Sequence, residues 1–239
     1  MRCTRPGLAT VTLSLATLLG ACGGPPSGPT DALTFTFDFH HGPQGFTAGF
    51  ADYPPAHAEI YELVSDYRAL PAPLEPNSAL FISGVNRSDD LFMFFRGPIG
   101  GLRPGALYSV TVAVEIATDT PAGCLGVGGA PGESVWIKAG ATAIEPAPVR
   151  DGAYLRMNVD VGNQSRGGAH AVVLGNVANS RSCEQPRQWE RKAFRGRTTP
   201  EPISASADGR AWLLFGADSG FESRTEIYFT SASVSFTPL

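Results

Sequence analysis

The chain has 239 residues, a formal net charge of −4 and a hydrophobic share of 43%. A mildly acidic chain lacks the positive surface that nucleic acids need, so nucleic-acid binding is not expected. The length suits one all-β domain, which can run to about 200–250 residues. A domain of that size buries roughly 70% of its unfolded surface, which is enough for a hydrophobic core.

The first 21 residues have the layout of a secretory signal peptide. Arg2 and Arg5 form a positively charged start, and residues 8–19 form an uncharged, mostly apolar stretch that is too short to span a bilayer comfortably. The tetrad LGAC, which ends at Cys22, then resembles the lipobox of bacterial lipoproteins. An ordinary signal peptide followed by a chance cysteine is the alternative.

The lipobox resemblance implies that the chain is cut before Cys22 and that this cysteine carries the lipid. Several acyl chains make such an anchor stable. We therefore expect a signal peptide over 1–21, a flexible tether over 22–31 and a β-sandwich domain over 32–239. Gly23 stands where an aspartate would resemble an inner-membrane retention signal. The expected location is the cell envelope, and the outer membrane, on its periplasmic or surface side, if the source is Gram-negative.

From Leu33 onward, short runs of β type are separated by Gly, Pro, Asn and Asp. Residues 34–39 and 108–116 alternate strictly, which places their apolar side chains on one face of a strand. Residues 91–95 are apolar at every position, as in a strand covered on both sides. Further strands are expected at 154–161, 171–177, 211–215 and 231–236, and a single helical turn at 188–194. About a dozen short strands predict an all-β sandwich or barrel.

Residues 102–108 read LRPGALY and have the form L-x-P-G-x-x-Y. This pattern resembles the tyrosine corner of Greek-key sandwiches, in which the tyrosine hydroxyl bonds to the backbone a few residues upstream. An ordinary Pro-Gly turn is the alternative. Both interpretations place Tyr108 at the start of a strand.

Cys124 and Cys183 remain after Cys3 leaves with the signal peptide and Cys22 is lipidated. An even pair of cysteines in an exported chain predicts a disulfide. The bond would close a loop of about 60 residues, which stabilises the fold by on the order of 4 kcal/mol in the chain-entropy model. Two free thiols are the main alternative, because a cysteine pair without nearby histidines makes a poor zinc site.

Three loops combine hydrogen-bonding side chains with nearby aromatic residues. Polar groups that converge in a cleft can fix the orientation of a ligand, although the same residue types also bond their own backbone in turns. The ligand-site prediction therefore depends on whether the loops meet in space. Such loops also offer oxygen ligands, so calcium is a candidate cofactor. The candidate residues are Asn86, Arg87, Asp89 and Asp90 in the first loop, Asn158, Asp160, Asn163 and Gln164 in the second, and Asp218, Glu222 and Arg224 in the third.

The sequence carries no trusted catalytic signature. Ser219 lies between Asp218 and a glycine, as in trypsin-like proteases, but His170 is too close along the chain for a fold that places the two residues on different barrels. The G-x-S-x-G elbow of α/β hydrolases is absent. Five arginines and Lys192 surround Trp189 within residues 181–197, a segment that could meet lipid headgroups or a glycan or could simply be a solvated loop.

Both ends of the domain resemble the galactose-binding-like, jelly-roll carbohydrate-binding modules. The resemblance lies in the opening run FTFDF at 35–39 and in the closing runs AWLLFG at 211–216 and EIYF at 226–229. It implies a jelly-roll or Greek-key sandwich. The runs at 86–92, 128–138, 158–168 and 218–226 are similar to an uncharacterised family of bacterial envelope lipoproteins, a likeness that brings no catalytic residues.

Taken together, these features predict a membrane-anchored envelope lipoprotein with a non-catalytic β-sandwich that binds a glycan or another ligand. The expected partners are the membrane, through the lipid on Cys22, and a glycan or an envelope protein. One alternative is a structural or protein-interaction lipoprotein without a small ligand. A second is a hydrolase that uses acidic residues.

Overall fold

The computed structural model describes residues 31–239. The predicted signal peptide over 1–21, the predicted lipid site at Cys22 and all but the last residue of the predicted tether over 22–31 lie outside the described residues. Within the described range, neither of the two short helices has the length or the apolar character needed to cross a bilayer.

The described residues form fourteen β-strands and two short 3₁₀ helices. The helices are Phe39–His41 and Pro55–Tyr61. In chain order the strands are β1 Leu33–Asp38, β2 Thr47–Ala51, β3 Val64–Ala69, β4 Ser78–Val85, β5 Leu91–Ile99, β6 Leu107–Thr118, β7 Val135–Thr142, β8 Pro148–Asp151, β9 Tyr154–Met157, β10 Ala171–Asn176, β11 Glu190–Thr198, β12 Ile203–Ser204, β13 Ala211–Ser219 and β14 Arg224–Pro238.

The strands form a β-sandwich with jelly-roll topology, which confirms the predicted fold class. A seven-stranded sheet has the order β11-β6-β14-β4-β3, with β1 also paired to β14 and β12 to β6. A five-stranded sheet has the order β10-β7-β13-β5-β2. The orders β4-β14-β6-β11 and β5-β13-β7-β10 are those of two interlocked Greek keys, because the chain passes between the sheets from β4 to β5, β6 to β7, β10 to β11 and β13 to β14. All of these pairings are antiparallel.

Aromatic rings fill the space between the two sheets. Phe215 on β13 lies 5.0 Å from Phe229 and 6.0 Å from Phe95, centroid to centroid. Phe39 and Phe46, at either end of the first turn, pack against the same ring at 5.6 and 5.3 Å. All five rings are buried. Such rings contribute both their buried area and favourable edge and tilted contacts, so this cluster holds the sheets together.

The outer face of the five-stranded sheet is also covered. Phe92, Phe94 and Leu214 on that face pack against Val159 and Val161, which follow the β8–β9 hairpin. This arrangement explains why residues 91–95 are apolar at every position, and it confirms the expectation that their strand is covered on both sides.

The two ends of the sandwich are distinct. β1 begins at Leu33 opposite Phe236, near the start of β6, and we call this the basal end. The opposite, apical end carries the connections 86–90, 119–134 and 220–223. At about 3.3 Å per residue, the length of β6 separates the two ends by roughly 35 Å.

Two expected elements differ from the structure. The helical turn expected at 188–194 is wrong, because Glu190–Thr198 forms β11 and pairs with β6. Its exposed arginines hide the strand pattern in the sequence, whereas only Phe194 is buried. The strand expected at 154–161 is shorter, since β9 ends at Met157 and the following residues turn to cover the five-stranded sheet.

Tyr108 forms the predicted tyrosine corner. Its hydroxyl oxygen accepts a hydrogen bond of 2.9 Å from the backbone N–H of Arg103, five residues upstream. The ring is buried and packs edge-on against Phe236 at 5.8 Å. The corner therefore fixes the turn that leads into β6 at the basal end.

Replacing Tyr108 with phenylalanine keeps the buried ring and removes only the corner bond. We expect the free energy of unfolding to fall by about 1 kcal/mol, the usual value for one such bond, and the melting temperature to fall by about 2–4 °C. Thermal and urea denaturation measure both. An unchanged midpoint would mean that the hydroxyl bond contributes nothing to stability.

Candidate functional site

The three predicted loops meet at the apical end. The side-chain amide of Asn163 donates to Asp90 Oδ2 at 2.5 Å, and that of Gln164 donates to the carbonyl of Asp89 at 3.0 Å. The backbone N–H of Gln164 donates to Asp218 Oδ2 at 2.9 Å. The second loop thus bridges the first and the third.

Asn86 joins the same contact from below. Its side chain is fully buried, and its Nδ2 donates to the carbonyl of Ser219 at 2.7 Å. Its Oδ1 accepts from the backbone N–H of Ser88 at 3.0 Å. Asn86 therefore ties the first loop directly to the end of β13.

Two residues of the second loop bond to backbone groups outside the central contact. Asn158 donates to the carbonyl of Glu145 at 2.9 Å and so closes the base of the β8–β9 hairpin. The exposed carboxylate of Asp160 accepts from the backbone N–H groups of Ala169 and Gly162, and these bonds hold its pKa below the usual range. Both residues perform turn chemistry away from the central contact.

Three further predicted residues lie on the outside. Arg87 is exposed. Glu222 contributes a backbone contact, in which its N–H donates to the carbonyl of Val127 at 2.9 Å. Arg224 forms an ion pair with Glu62 on the seven-stranded sheet side. The structure therefore brings together Asn86, Asp89, Asp90, Asn163, Gln164 and Asp218, and it places Arg87, Asn158, Asp160, Glu222 and Arg224 elsewhere.

A buried set of charges underlies the central contact. Lys138 Nζ lies 2.6 Å from Asp218 Oδ2, and the two side chains are 0% and 1% exposed. Asp52, at the end of β2, pairs with Arg156 at 2.8 Å. Burial raises the pKa of Asp90 to about 9, and the neighbouring carboxylates of Asp218 and Asp52 add to the rise. Burial likewise raises the pKa of Asp52.

These polar groups bond to one another beneath residues 158–170, so they form a closed packed layer. Among residues 31–239, no group of three or more His, Cys, Asp or Glu side chains is placed to hold a metal ion. This part of the chain therefore offers no such set of side chains for the calcium ion that the sequence suggested.

An open cavity lies at the apical end of the seven-stranded sheet. We call it the β14 cleft; its volume is about 380 Å³, and it is lined by Asp119, Thr120, Arg187, Arg224 and Glu226. Arg187 donates two hydrogen bonds to the carboxylate of Asp119, one of 3.1 Å from Nε and one of 2.7 Å from Nη2. The cleft thus presents a planar cation and carboxylates to solvent.

Aromatic side chains continue the cleft along the same face. Tyr228 follows Glu226 by two residues on β14, so both point outward from the same side of the sheet. Trp189 packs edge-on against Tyr228 at 5.2 Å and remains partly exposed. The guanidinium of Arg68 lies 3.4 Å above the centre of the Phe81 ring, which itself is 4.9 Å from Tyr228.

The predicted disulfide between Cys124 and Cys183 is present. It joins the segment that follows Asp119 to the segment that precedes Arg187, and the backbone N–H of Ala122 donates to the carbonyl of Arg181 at 2.7 Å beside it. Asp119 and Thr120, before the first cysteine, and Arg187, after the second, line the β14 cleft. The bond therefore holds two parts of the cleft wall in register.

Replacing Cys124 and Cys183 together with serine should destabilise the fold by on the order of 4 kcal/mol, because the unfolded chain regains the freedom of a loop of about 60 residues. Denaturant midpoints of the oxidised protein and the double variant measure the loss. Reduction of the wild type should lower its midpoint to that of the variant. Equal midpoints before and after reduction would contradict this stabilising role.

Sequence reasoning missed most of the β14 cleft. No motif marks the turn and strand sequences that contain Asp119, Thr120 and Glu226. Sequence reasoning also missed Lys138 of the apical layer, which lies within an otherwise apolar strand. The useful signal is the cluster of arginines around Trp189, which is consistent with a contact to lipid headgroups or a glycan as well as with a solvated loop. Arg224 was selected for a different loop and belongs to the cleft.

The chain matches no known family model and no curated protein sequence. Solved structures do resemble it. A carbohydrate-binding module of the β-sandwich superfamily is 12% identical with a TM-score of 0.39, over 85% of this chain and 60% of that one. The module CBM27-1 of Caldicellulosiruptor saccharolyticus, in complex with mannohexaose, is 10% identical with a TM-score of 0.32, over 84% and 96%.

The enzymatically active domain of bacteriophage CBA120 tailspike protein 4 is 10% identical with a TM-score of 0.33, over 78% of this chain. The chain spans only 19% of that tailspike domain and 60% of the β-sandwich module. At these scores the three likenesses carry no argument about the activity of this chain.

Proposed function

We propose that the chain is a lipid-anchored envelope protein whose β-sandwich binds a carbohydrate in the β14 cleft without transforming it. The observation that carries this proposal is an open cleft of about 380 Å³, lined by arginine and carboxylate side chains, on the same sheet face as the partly exposed ring of Trp189. Binding sites for small ligands combine a few placed polar groups with apolar and aromatic walls in this way.

The chemistry of the cleft suits a sugar. A guanidinium held by two bonds to a carboxylate is a rigid array of donors and acceptors, which matches neighbouring hydroxyl groups. An aromatic face offers a flat apolar surface to the C–H groups of a pyranose ring. Arg187 with Asp119 supplies the first element, and Trp189 supplies the second.

Burial of the most perturbed carboxyl supports a non-catalytic role. A general acid for glycoside hydrolysis needs a raised pKa and contact with the substrate. Asp90 has the raised pKa, but its side chain is 8% exposed and lies beneath residues 158–170. A substrate in the β14 cleft could not reach it.

A glycan array with neutral oligosaccharides and peptidoglycan fragments tests the binding proposal. We expect binding that calcium does not alter and that Trp189→Ala weakens by about tenfold or more, as for an aromatic anchor in an interface. Trp212→Ala is the matched control, because Trp212 is also partly exposed but lies on the other sheet at the basal end.

An equal loss of glycan binding in both tryptophan variants would mean that the substitutions act by destabilising the fold. The absence of any hit with the folded wild type would reject carbohydrate binding, and release of cleaved sugar would reject the non-catalytic part of the proposal.

The lipid anchor is tested at Cys22. Cells fed a clickable fatty acid should label the wild type and bring it to the membrane fraction, and Cys22→Ala should lose both because the acceptor sulfur is gone. Cys3→Ala, which leaves that sulfur and the disulfide in place, is the control for the loss of a cysteine elsewhere. Persistent label in the Cys22 variant would refute lipidation at this residue.

A protein-binding role is the second candidate, and one observation favours it. Leu125 and Val127, in the disulfide-linked apical connection, are 99% and 68% exposed. Exposed apolar side chains at a loop tip are typical of contacts with another protein. Co-purification of an envelope protein that Leu125→Ser with Val127→Ser abolishes, together with an empty glycan array, would favour this function.

A further inference from the structure

The closed apical layer contains two buried oxygens without a donor. Asp90 Oδ1 and Asp218 Oδ1 have no hydrogen-bond partner within the described part of the chain. The other oxygen of each carboxyl is fully engaged: Asp90 Oδ2 by Asn163, and Asp218 Oδ2 by Lys138 and by the backbone of Gln164. The two residues are 8% and 1% exposed, so bulk solvent has little access to the bare oxygens.

The buried arrangement of Asp90 and Asp218 would be unfavourable if both carboxyl groups were ionised. Each bare, buried, negative oxygen would lose its hydration, and the two negative charges would repel each other. A single proton removes both costs, because the protonated carboxyl becomes a donor and the other oxygen becomes its acceptor. The side chains of Asp90 and Asp218 lie side by side, because the adjacent residues Asn163 and Gln164 bond to one carboxyl each.

The charges around the pair agree with one proton. The groups that face Asp90 are Asp52 from the end of β2, Lys138 from β7, Arg156 from β9 and Asp218 from β13, with Asn163 and Gln164 as neutral donors. Three carboxyl groups stand against two cations, so a proton on one carboxyl makes the set neutral. A divalent metal would fit poorly, because the Lys138 ammonium already occupies the place beside Asp218.

We propose that Asp90 and Asp218 share one proton, and that this proton latches residues 158–170 onto the outer face of the five-stranded sheet. The latch works through Asn163 and Gln164, which bond to the two carboxyl groups from above. Loss of the proton would leave two negative charges beneath the segment, and opening would hydrate them. The surface that opening uncovers is apolar, since Val159 and Val161 cover Phe92, Phe94 and Leu214.

The direction of the pH dependence follows from linkage. In the closed state the pKa of Asp90 is raised to about 9, against 3.8 when the group is free in water. The closed state therefore holds one proton more than the open state between these values. The latch is complete below pH 4 and weakens as pH rises through about 9, by up to about tenfold in the opening constant per pH unit.

Carbon-13 NMR of the mature chain with labelled aspartate carboxyls tests the shared proton. One aspartate carboxyl should remain protonated at pH 7, titrate near pH 9 and disappear from the spectrum of Asp90→Asn. Asp89→Asn is the matched control: it removes the same charge one residue away, its side chain is exposed, and its φ of 70° is one that asparagine tolerates. Ionisation of every aspartate at pH 7 would overturn the proposal.

Hydrogen exchange tests the latch. After correction for the intrinsic rate, amides in 158–170 should exchange faster as pH rises from 5 to 9 in the wild type and in Asp89→Asn. In Asp90→Asn they should stay protected, because the asparagine amide donates to Asp218 at any pH. A pH-independent opening in the wild type would overturn the latch, and so would a carboxyl titration that added calcium abolishes. None of these outcomes depends on whether the β14 cleft binds a sugar.

Discussion

β14 pairs with three other strands, and its register sets the positions of nearly everything else in the seven-stranded sheet. Along one edge its first half pairs with β4 and its second half with β1, while β6 lies along the other edge. A register shift between Phe229 and Ser231 marks the change of partner. The same strand sends Val234 and Phe236 into the core, Glu226 into the cleft, and Tyr228 into the aromatic cluster on the outer face.

That dependence has a physical basis in the two-residue period of a strand. A slip of one residue would exchange the inward and outward side chains along the whole of β14. The apolar inner residues would then face water, and the charged outer ones would enter the core. The cost of that exchange fixes the register, and with it the outer face on which the cleft is built.

The apical layer shows a different balance. Burying Lys138 and Asp218 removes two full charges from water, which the ion pair alone seldom repays. Here Asp218 also accepts a hydrogen bond from the backbone N–H of Gln164 in a neighbouring loop. Such networks specify one arrangement of loops more than they add stability. They explain why three loops that are distant in sequence close on one another.

The sequence predicted strands best where one face of the strand is exposed to solvent and the other face is buried. Residues 34–39 and 108–116 alternate, and they correspond to β1 and most of β6. β11 was missed because its arginines extend over the neighbouring surface and leave only Phe194 as an apolar mark. β4 carries apolar residues on both faces, so its sequence lacks the alternation of apolar and polar residues that marks a strand with one exposed face.

The same contrast applies to the site. Asn86, Asp90, Asn163, Gln164 and Asp218 could be selected together, because loops at one end of a sandwich are close in space whatever their order in the chain. Which of their bonds point inward is decided by tertiary packing and has no local signal. The pairing of Asp119 with Arg187 joins positions 68 residues apart and depends on the closing of the sheet.

The disulfide holds one part of the molecule and leaves the rest to other interactions. Both sheets are held by backbone pairing and by the aromatic core, neither of which requires Cys124 or Cys183. The position of residues 119–124 against 181–187 depends on them directly, and such bonds form in oxidising compartments. If the chain is exported as proposed, the wall of the β14 cleft would be completed only after the chain reaches such a compartment.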